Sequence, residues 1–243
     1  MVARLFQVEC ITNLHVGSGD VNYNIIDNEV EKDPVTGYAT MNASGVKGAL
    51  REYFNKVSEK DVLSLFGGNK GEKTIPGAIK FMQADILAMP VRATLGKEAY
   101  YLVASEENIH NLIEKRKMLE NVKSEFVRKS ADEKIKAEGI PLNEYVELKG
   151  KRIYIINNSD YKKLMLPVVA RNKLDNGKSE NLWYEEVVPH HSIFTFYVLT
   201  DDEERMGCFT NYVLDHVVQF GGGATVGYGF CKITAFLGDG CYE

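Results

Sequence analysis

The chain has 243 residues, of which 44% are hydrophobic and 26% charged, so it can bury the core of one large domain or two small ones. No apolar run reaches the length of a membrane helix, and the N-terminal residues have no signal-peptide profile. We therefore expect a cytoplasmic protein with no membrane partner. The net charge of −5 disfavours a free-standing nucleic-acid binder. It does not exclude a protein that forms a basic groove together with neighbouring subunits.

The cysteines show neither a C-x-x-C pair nor metal-ligand spacing. We predict reduced structural thiols, and a disulfide framework is the weaker alternative. They are Cys10, Cys208, Cys231 and Cys241.

The N-terminal segment is predicted to be a strand followed by a loop whose side chains could bind a ligand. Residues 3–14 are rich in β-branched and aromatic side chains, and Gly17 and Gly19 then interrupt regular structure. Residues 33–37 (Asp-Pro-Val-Thr-Gly) predict a turn. Dense carboxylates in this loop could hold a hard divalent cation, although acidic loops are commonly only solvated. These carboxylates are Asp20, Asp27, Glu29, Glu31 and Asp33.

Residues 46–57 predict a helix that begins after a capping Asn42 or Ser44. Lys47 and Arg51 are four residues apart and lie near the positive end of the helix dipole. Together with Gly48, which permits close backbone approach, they would suit an anion; a solvated basic face is the alternative. The predicted buried face carries Val46, Leu50, Tyr53, Phe54 and Val57.

The middle of the chain is predicted to contain a loop, two strands and an inserted helix. Residues 63–73 are loop-like, and strands at 77–87 and 99–104 are joined by a turn region at 89–97. Residues 106–139 are rich in charge and carry a helical apolar stripe, which predicts an amphipathic helix or helix pair. A contact surface for a neighbouring chain is the functional alternative.

A long β-hairpin is predicted after a short strand at 151–157. Its arms are residues 164–171 and 182–188, and an Asp-Asn-Gly turn lies between them. The arms carry side chains that could meet nucleic-acid bases, although Trp183 could instead anchor the hairpin to the core. These side chains are Arg171, Lys173, Trp183 and Tyr184.

The C-terminal part predicts a strand at 192–200, a helix at 203–220 and a last strand at 230–236. The glycine-rich residues 221–229 follow a helix and precede a strand, which is the wrong order for a nucleotide-phosphate fingerprint. They form either a backbone surface that approaches a phosphate chain or a tight turn. His190 and His191 are predicted to be a surface pair.

The order of elements predicts an α+β fold of the ferredoxin-like type, with two helices on one face of a mostly antiparallel sheet. Several short motifs, in this order, resemble the RAMP superfamily of CRISPR effector proteins, and in particular the repeated backbone subunit of type III-B (Cmr) complexes. The motifs are His15–Gly19, Ile26-Asp27, Ser44–Arg51, Leu65-Phe66-Gly67, Pro90-Val91-Arg92, Leu182–Glu186 and the glycine segment. Residues 39–45 depart from the family's proline-rich lead into the helix.

The resemblance implies a single RAMP domain with a ferredoxin-like (RRM-like) palm, a helical insertion and a β-hairpin thumb. The palm would comprise residues 1–105 and 189–243, the insertion 106–150 and the thumb about 151–188. Copies of such a subunit form a filament on a guide RNA (crRNA) with other type III-B effector subunits. They cut complementary target RNA at regular intervals, as a divalent-metal-dependent endoribonuclease.

The resemblance also implies residue roles. Asp27 would be the catalytic residue and a ligand of Mg²⁺ or Mn²⁺, with general-base action as a competing role. Guide-RNA contacts would come from His15, Ser44, Lys47, Gly48, Arg51, Gly221, Gly222, Gly223 and Tyr228. Target contacts of the thumb would come from Arg171, Lys173, Leu174 and Trp183.

Three alternatives stay open. The chain could be a catalytically inert guide-binding scaffold, the equivalent subunit of a type III-A (Csm) complex, or a ribonuclease that processes guide precursors.

Overall fold

The computed structural model describes residues 1–17, 26–122 and 126–236. Gly19, Asp20 and Cys241, which the sequence analysis singled out, lie outside the described residues, as does the side chain of Leu174. In the described part of the chain, none of the helices has the length and apolar character that a bilayer span requires.

The described chain forms seventeen strands and five α-helices. In order they are β1 (Val2–Cys10), β2 (Thr40–Met41), α1 (Ala43–Val57), α2 (Glu59–Phe66), β3 (Gly67–Lys70), β4 (Lys73–Pro76), β5 (Lys80–Phe81), β6 (Ala84–Leu95), β7 (Tyr100–Ser105), α3 (Glu106–Glu120), β8 (Lys129–Ser130), β9 (Lys136–Ala137), β10 (Ile140–Pro141), β11 (Glu144–Leu148), β12 (Lys151–Ile156), α4 (Asn158–Tyr161), β13 (Val168–Asp175), β14 (Lys178–Glu186), β15 (Ile193–Thr200), α5 (Glu203–Val213), β16 (Val217–Gln219), a 3-10 turn (Ala224–Val226) and β17 (Phe230–Ala235).

A large mixed sheet organises these elements. Its centre has the strand order β17–β1–β15–β6, and all three neighbouring pairs are antiparallel. Beyond β6 the sheet continues through β7, β12, β11 and β8, and β7 and β12 pair in parallel. The strands β13 and β14 form a separate two-stranded sheet. The predicted α+β class is therefore confirmed.

Alternate residues of β1 divide the core into two layers. Phe6 packs against α5 through an edge-to-face contact with Phe209, whose ring stacks at 5.7 Å on Phe54 of α1. Leu5 points to the opposite face, where it belongs to a second cluster with Leu112 of α3. The helices α1 and α5 thus share one face, as predicted, but α2 packs beside them through Phe66, and α3 covers part of the other face. Truncation of a ring such as Phe6 to alanine would cost about 3–5 kcal/mol.

The hairpin and the first helix match their predictions because their signals are local. Asn176 and Gly177, at the turn between β13 and β14, both have positive φ (48° and 79°), as a two-residue type I′ turn requires. In α1, Val46, Leu50 and Phe54 are buried as expected. Val57 is 42% exposed, so its predicted burial is wrong.

Two loop predictions in the first half are wrong. Residues 63–73 include the end of α2 and a hairpin formed by β3 and β4, because Leu65 and Phe66 enter the core instead of a surface loop. The predicted turn region at 89–97 is mostly strand β6. Its Pro90 is tolerated because β6 has left β15 after Ala88 and pairs only with β7 at that point.

Two boundaries in the second half also differ. The helix predicted at 203–220 ends at Val213, where Asp215 adopts a positive φ of 61° and the chain returns as β16. The predicted first strand, 3–14, ends at Cys10.

The predicted helical insertion at 106–150 is helical only in α3, which ends at a left-handed Asn121 (φ 55°). The strands β8 to β11 follow. The strand β12 belongs to the large sheet, and the hairpin starts at Val168, whereas the sequence predicts its first arm from residue 164 and the thumb from about residue 151. The division into one domain with palm, insertion and thumb stays a prediction.

Candidate nucleic-acid interface

The segment that follows β1 is fastened to the base of the β13–β14 hairpin. Leu14 and Val188 exchange both backbone hydrogen bonds, at 2.9 and 2.8 Å. One residue further on, Nδ1 of His15 lies 2.7 Å from the carbonyl oxygen of Glu186. The chain segment with the predicted catalytic loop and the predicted target-contacting hairpin are therefore adjacent, although about 170 residues separate them in sequence.

The contact of His15 fixes its tautomer. A backbone carbonyl can only accept a hydrogen bond, so Nδ1 carries the proton and, in the neutral ring, Nε2 presents a lone pair. The ring lines a cavity of about 300 Å³ together with Arg171, Trp183 and Gly222. Three groups of predicted RNA-contacting residues thus meet at one place.

Asp27 lies along the hairpin strand β14 and is exposed. Its backbone N–H donates to the carbonyl of Tyr184 (3.1 Å), and its Oδ2 accepts from the N–H of Tyr184 (2.8 Å). The next residue, Asn28, forms a parallel bridge with Glu185. The main chain of the hairpin therefore determines where this carboxylate lies.

Glu186 is the buried connection between the same two segments, with only 7% of its surface exposed. Its Oε2 accepts from the backbone N–H of Val30 (3.2 Å) and lies 3.0 Å from Nζ of Lys32. Its own N–H donates to the carbonyl of Asn28 (2.9 Å). A buried carboxylate needs such partners, because an unpaired charge in the interior is costly.

Arg171 joins the hairpin to the glycine segment. Its Nε lies 3.0 Å from Oε2 of Glu185, and its guanidinium carbon is 4.3 Å from the ring centroid of Tyr228. Trp183 donates to the other oxygen of Glu185 (2.8 Å). Burial opposes ionisation of Glu185, but the hydrogen bonds from Trp183 and Arg171 outweigh it and lower the pKa of this carboxyl below its ordinary value.

The glycine segment packs directly on the backbone of His15. The N–H of Gly222 donates to the carbonyl of His15 (2.9 Å). At Gly221, with φ +70°, a Cβ would overlap that same carbonyl oxygen. Its glycine is therefore explained by a tight turn, while Gly222 and Gly223 are exposed and remain accessible to a ligand.

The predicted guide-binding residues of α1 do not line this cavity. Ser44 and Gly48 are exposed, Lys47 is half-buried, and Nη1 of Arg51 donates to the carbonyl of Gly67 at 2.6 Å. Arg51 thus satisfies the carbonyl that follows α2.

Glu31 connects the start of α1 to the first loop. Its carboxylate accepts from both N–H groups of Asn42, the backbone one at 2.9 Å, and its own N–H donates to the carbonyl of Val16 (2.7 Å). The Asn42 side chain makes no cap bond to the helix, so the predicted N-cap chemistry is absent there.

The predicted acidic cluster is largely engaged in internal contacts. Asp33 accepts from the N–H groups of Val35 and Thr36 and from the Thr36 hydroxyl, as in an Asx turn. Burial works against it, but these bonds lower the pKa of Asp33 below its ordinary value. Among the described ranges, no group of three or more His, Cys, Asp or Glu side chains is arranged to hold a metal ion.

Glu31 and the pair Glu185 and Glu186 carry structural roles that the sequence reasoning did not assign. By sequence, Glu185 and Glu186 are recognisable only as part of the family motif Leu182–Glu186. Their partners, such as Arg171 and Lys32, lie in distant segments, and nothing in a single sequence indicates which glutamate pairs with which cation.

The chain belongs to the RAMP superfamily, whose model matches residues 7–232. Among curated proteins it is 27% identical to the CRISPR system Cmr endoribonuclease Cmr4 of Pyrococcus furiosus, over 96% of this chain and 96% of that protein. The resemblance to type III-B subunits, stated from the sequence, is thereby confirmed.

Two solved structures share the fold. A chain of the type III-B Cmr-beta complex in its apo state superposes with a TM-score of 0.81 at 21% identity, covering 98% of both chains. A chain of oligomeric Cmr4 from Pyrococcus furiosus gives a TM-score of 0.71 at 23% identity, over 96% of this chain and 98% of that one.

Proposed function

We propose that this chain is the repeated guide-RNA-binding subunit of a type III-B CRISPR ribonucleoprotein and that it cuts the complementary target RNA. The observation that carries the proposal is the pairing of Asp27 with Tyr184, which holds an exposed carboxylate at the base of the hairpin. The relative with the matching length is named an endoribonuclease, and the fold recurs in an oligomeric form of that relative.

The finer architecture belongs to this proposal. The strand order β17–β1–β15–β6, with α1 between β1 and β6 and α5 between β15 and β17, has the connectivity of a ferredoxin-like double β-α-β unit. This supports a palm built from those elements. The separate β13–β14 sheet would be the thumb, which wedges into the guide–target duplex.

The guide would be held mainly through its backbone. Nε2 of His15 can accept a hydrogen bond from a ribose 2′-hydroxyl, and the exposed backbone of Gly222 and Gly223 permits close approach of the strand. Lys47 and Ser44 at the start of α1 would add contacts to phosphates. Contacts of this kind accept any guide sequence, which a guide-programmed filament requires.

Cutting would depend on positioning. A wedge that unstacks the target would let a ribose 2′-hydroxyl come into line with its own phosphate, and alignment of this kind supplies a large share of rate enhancement. Asp27 lies beside the wedge and could accept the proton of that hydroxyl as a general base.

A divalent ion is the competing use of Asp27. Mg²⁺ or Mn²⁺ is often held by one or two carboxylates, with phosphates and water completing its ligands, and a single exposed carboxylate such as Asp27 fits that need. When bound, the ion would stabilise the charge that develops on the phosphate oxygens.

A reconstituted particle with guide and target RNA tests this function. We expect evenly spaced cuts in complementary RNA, no cuts in unrelated RNA, loss of cutting in EDTA and recovery with Mg²⁺ or Mn²⁺. Binding of target without any cutting would favour the inert scaffold. Cleavage of guide-precursor RNA by the isolated protein in EDTA would favour a processing ribonuclease.

A further inference from the structure

One end of the large sheet is left uncovered by α3. On the face that α3 packs against, Leu5 of β1 is 8% exposed, whereas Ile11, just beyond the end of the strand, is 48% exposed. The neighbouring strand β17 shows the same trend: Phe236, just after the strand, is 2% exposed, whereas Phe230 at its start is 37% exposed. The open end is therefore the one at which β1 enters the first loop.

Three aromatic rings stand at this open end. The rings of Tyr100 and His191 stack with centroids 5.2 Å apart and planes within 10°, and His190 lies against His191 at 4.6 Å. His190 is exposed and Tyr100 is 39% exposed, so their outer surfaces face solvent. We call these three residues the ring platform.

The backbone of the platform is held in an uncommon conformation. His191 has φ +70°, which residues with a side chain rarely adopt. Its N–H donates to the carbonyl of Cys10 (2.7 Å), and the N–H of Ser192 closes back on Pro189 (3.2 Å). A glycine would adopt this turn without strain, whereas the histidine at this position supplies a ring that stacks on Tyr100.

The surroundings of the platform combine rings with cations. A cavity of about 600 Å³ lies beside Tyr100. It is lined by Tyr101, Tyr154 and the basic side chains of Lys151 and Arg152, as well as by acidic residues. Such a volume falls within the range of small-ligand sites. Burial, together with the nearby His190, lowers the pKa of His191 below its ordinary value, although Glu9 acts in the opposite direction.

The platform is connected to the glycine segment through Asn13. The side-chain oxygen of Asn13 accepts from the N–H of His190 (3.0 Å), and its carbonyl accepts from the N–H of Gly229 (2.8 Å). A strand that passes over the glycine segment would therefore reach the rings within a short distance.

We propose that the ring platform stacks an unpaired base of single-stranded RNA that extends from the glycine segment. Exposed flat rings with cations beside them are the features by which proteins hold unpaired bases, and a duplex hides the base faces that such rings need. This inference rests on the proposed function, because it assumes that RNA follows the glycine segment.

The test compares binding of a labelled single-stranded RNA and a duplex of equal length to the full chain, by fluorescence anisotropy. We expect Tyr100→Leu and His190→Ala each to weaken single-strand binding about tenfold, with duplex binding within about twofold. Tyr100→Phe keeps the ring and should bind as the unmodified chain does. Met118→Ala, which removes an exposed apolar side chain from α3, is the matched control.

The outcomes separate the two proposals. If the unmodified chain binds no single-stranded RNA even at concentrations at which its copies assemble along the strand, the proposed function itself is contradicted. Full binding by both Tyr100→Leu and His190→Ala would overturn the platform alone, as would a Tyr100→Phe variant as weak as Tyr100→Leu. If Tyr100→Leu fails to fold by circular dichroism, the exposed His190→Ala variant decides.

Discussion

Glu186 shows how a single buried side chain assembles the interface. Its carboxylate, which belongs to the hairpin, accepts a hydrogen bond from the backbone of Val30 and forms an ion pair with Lys32, both of the first loop. Since Lys32 is 37% exposed, solvent screens the ion pair, and the hydrogen bond to Val30 contributes a substantial part of the energy.

We predict that Glu186→Gln lowers the free energy of unfolding by about 1–3 kcal/mol, because it removes the nearer of the two carboxylates that Lys32 pairs with and weakens the bond to Val30. Urea denaturation measures this loss. In a cycle with Lys32→Met, the two changes should be non-additive. Strict additivity would contradict the pairing.

The proposed contact of His15 with a ribose 2′-hydroxyl can be tested by comparing RNA and DNA guides. If its Nε2 accepts from a 2′-hydroxyl, His15→Ala should lower affinity for an RNA guide about two- to tenfold, the value of one hydrogen bond, and leave affinity for the same DNA sequence unchanged. Filter binding with both strands gives the ratio. An equal loss on RNA and DNA would assign His15 to the structure of the loop alone.

At the scale of elements, Arg171 couples the hairpin to the glycine segment by contacting Glu185 and Tyr228 together. The neighbouring Lys173 pairs with Glu180 across the hairpin instead (2.5 Å). The two cations of one strand therefore offer a matched comparison.

We predict that Arg171→Ala accelerates amide hydrogen exchange both in β13–β14 and in residues 221–229, because the contact that restrains both elements is lost. Arg171→Lys keeps a charge for Glu185 but not the flat contact with the Tyr228 ring, so it should be intermediate. The Lys173→Ala control should leave residues 221–229 unchanged. Faster exchange there in the control would refute the coupling.

The turn at Asp33 predicts a pH dependence. Its folded pKa is lowered, so its contribution to stability is fully present above the unfolded value of about 3.9 and is lost as the pH falls through the folded pKa. Asp33→Ala should therefore destabilise the protein at pH 7, by less than about 1 kcal/mol because solvent reaches this partly buried group, and the difference should shrink towards pH 3. Thermal melts across this range measure it; a constant difference would contradict the assignment.

The elements with local signals could be predicted from the sequence, and those set by distant pairing could not. The buried face of α1 and the turn at Asn176 and Gly177 follow from helical periodicity and turn chemistry. Pro90 indicated a turn because nothing local shows that β6 changes partners beside it. The early end of α5 at Val213 is likewise set by the pairing of β16 with β17.

The candidate site likewise has features that local sequence predicts and features that only the structure shows. Lys47 and Arg51 were recognisable as a basic pair from their spacing, but only the structure shows that Arg51 donates to Gly67. By local sequence Asp27 is one acidic residue among several, and only the family resemblance distinguishes it from the others. Its hydrogen bond to Tyr184 joins residues 157 positions apart, which no local pattern contains.

At the scale of the whole molecule, a net charge of −5 is compatible with RNA binding if each copy contributes only part of a shared groove. Apart from Ser44 and Lys47 of α1, the groups that would contact the guide and the target come from three separate segments: the first loop, the hairpin and the glycine segment. The contacts of Glu186 and Arg171 bring these segments together in one subunit.

The charge of Asp27 provides the most direct test of the account. Asp27→Asn keeps an oxygen that can accept from the N–H of Tyr184 but removes the negative charge. In assembled particles we predict that this change lowers target cutting at every site by about 100-fold or more, with guide and target binding within about twofold. Asp215→Asn, at an exposed carboxylate paired with Lys232, should cut normally. Asp27→Asn particles that cut as fast as unmodified ones would contradict the account.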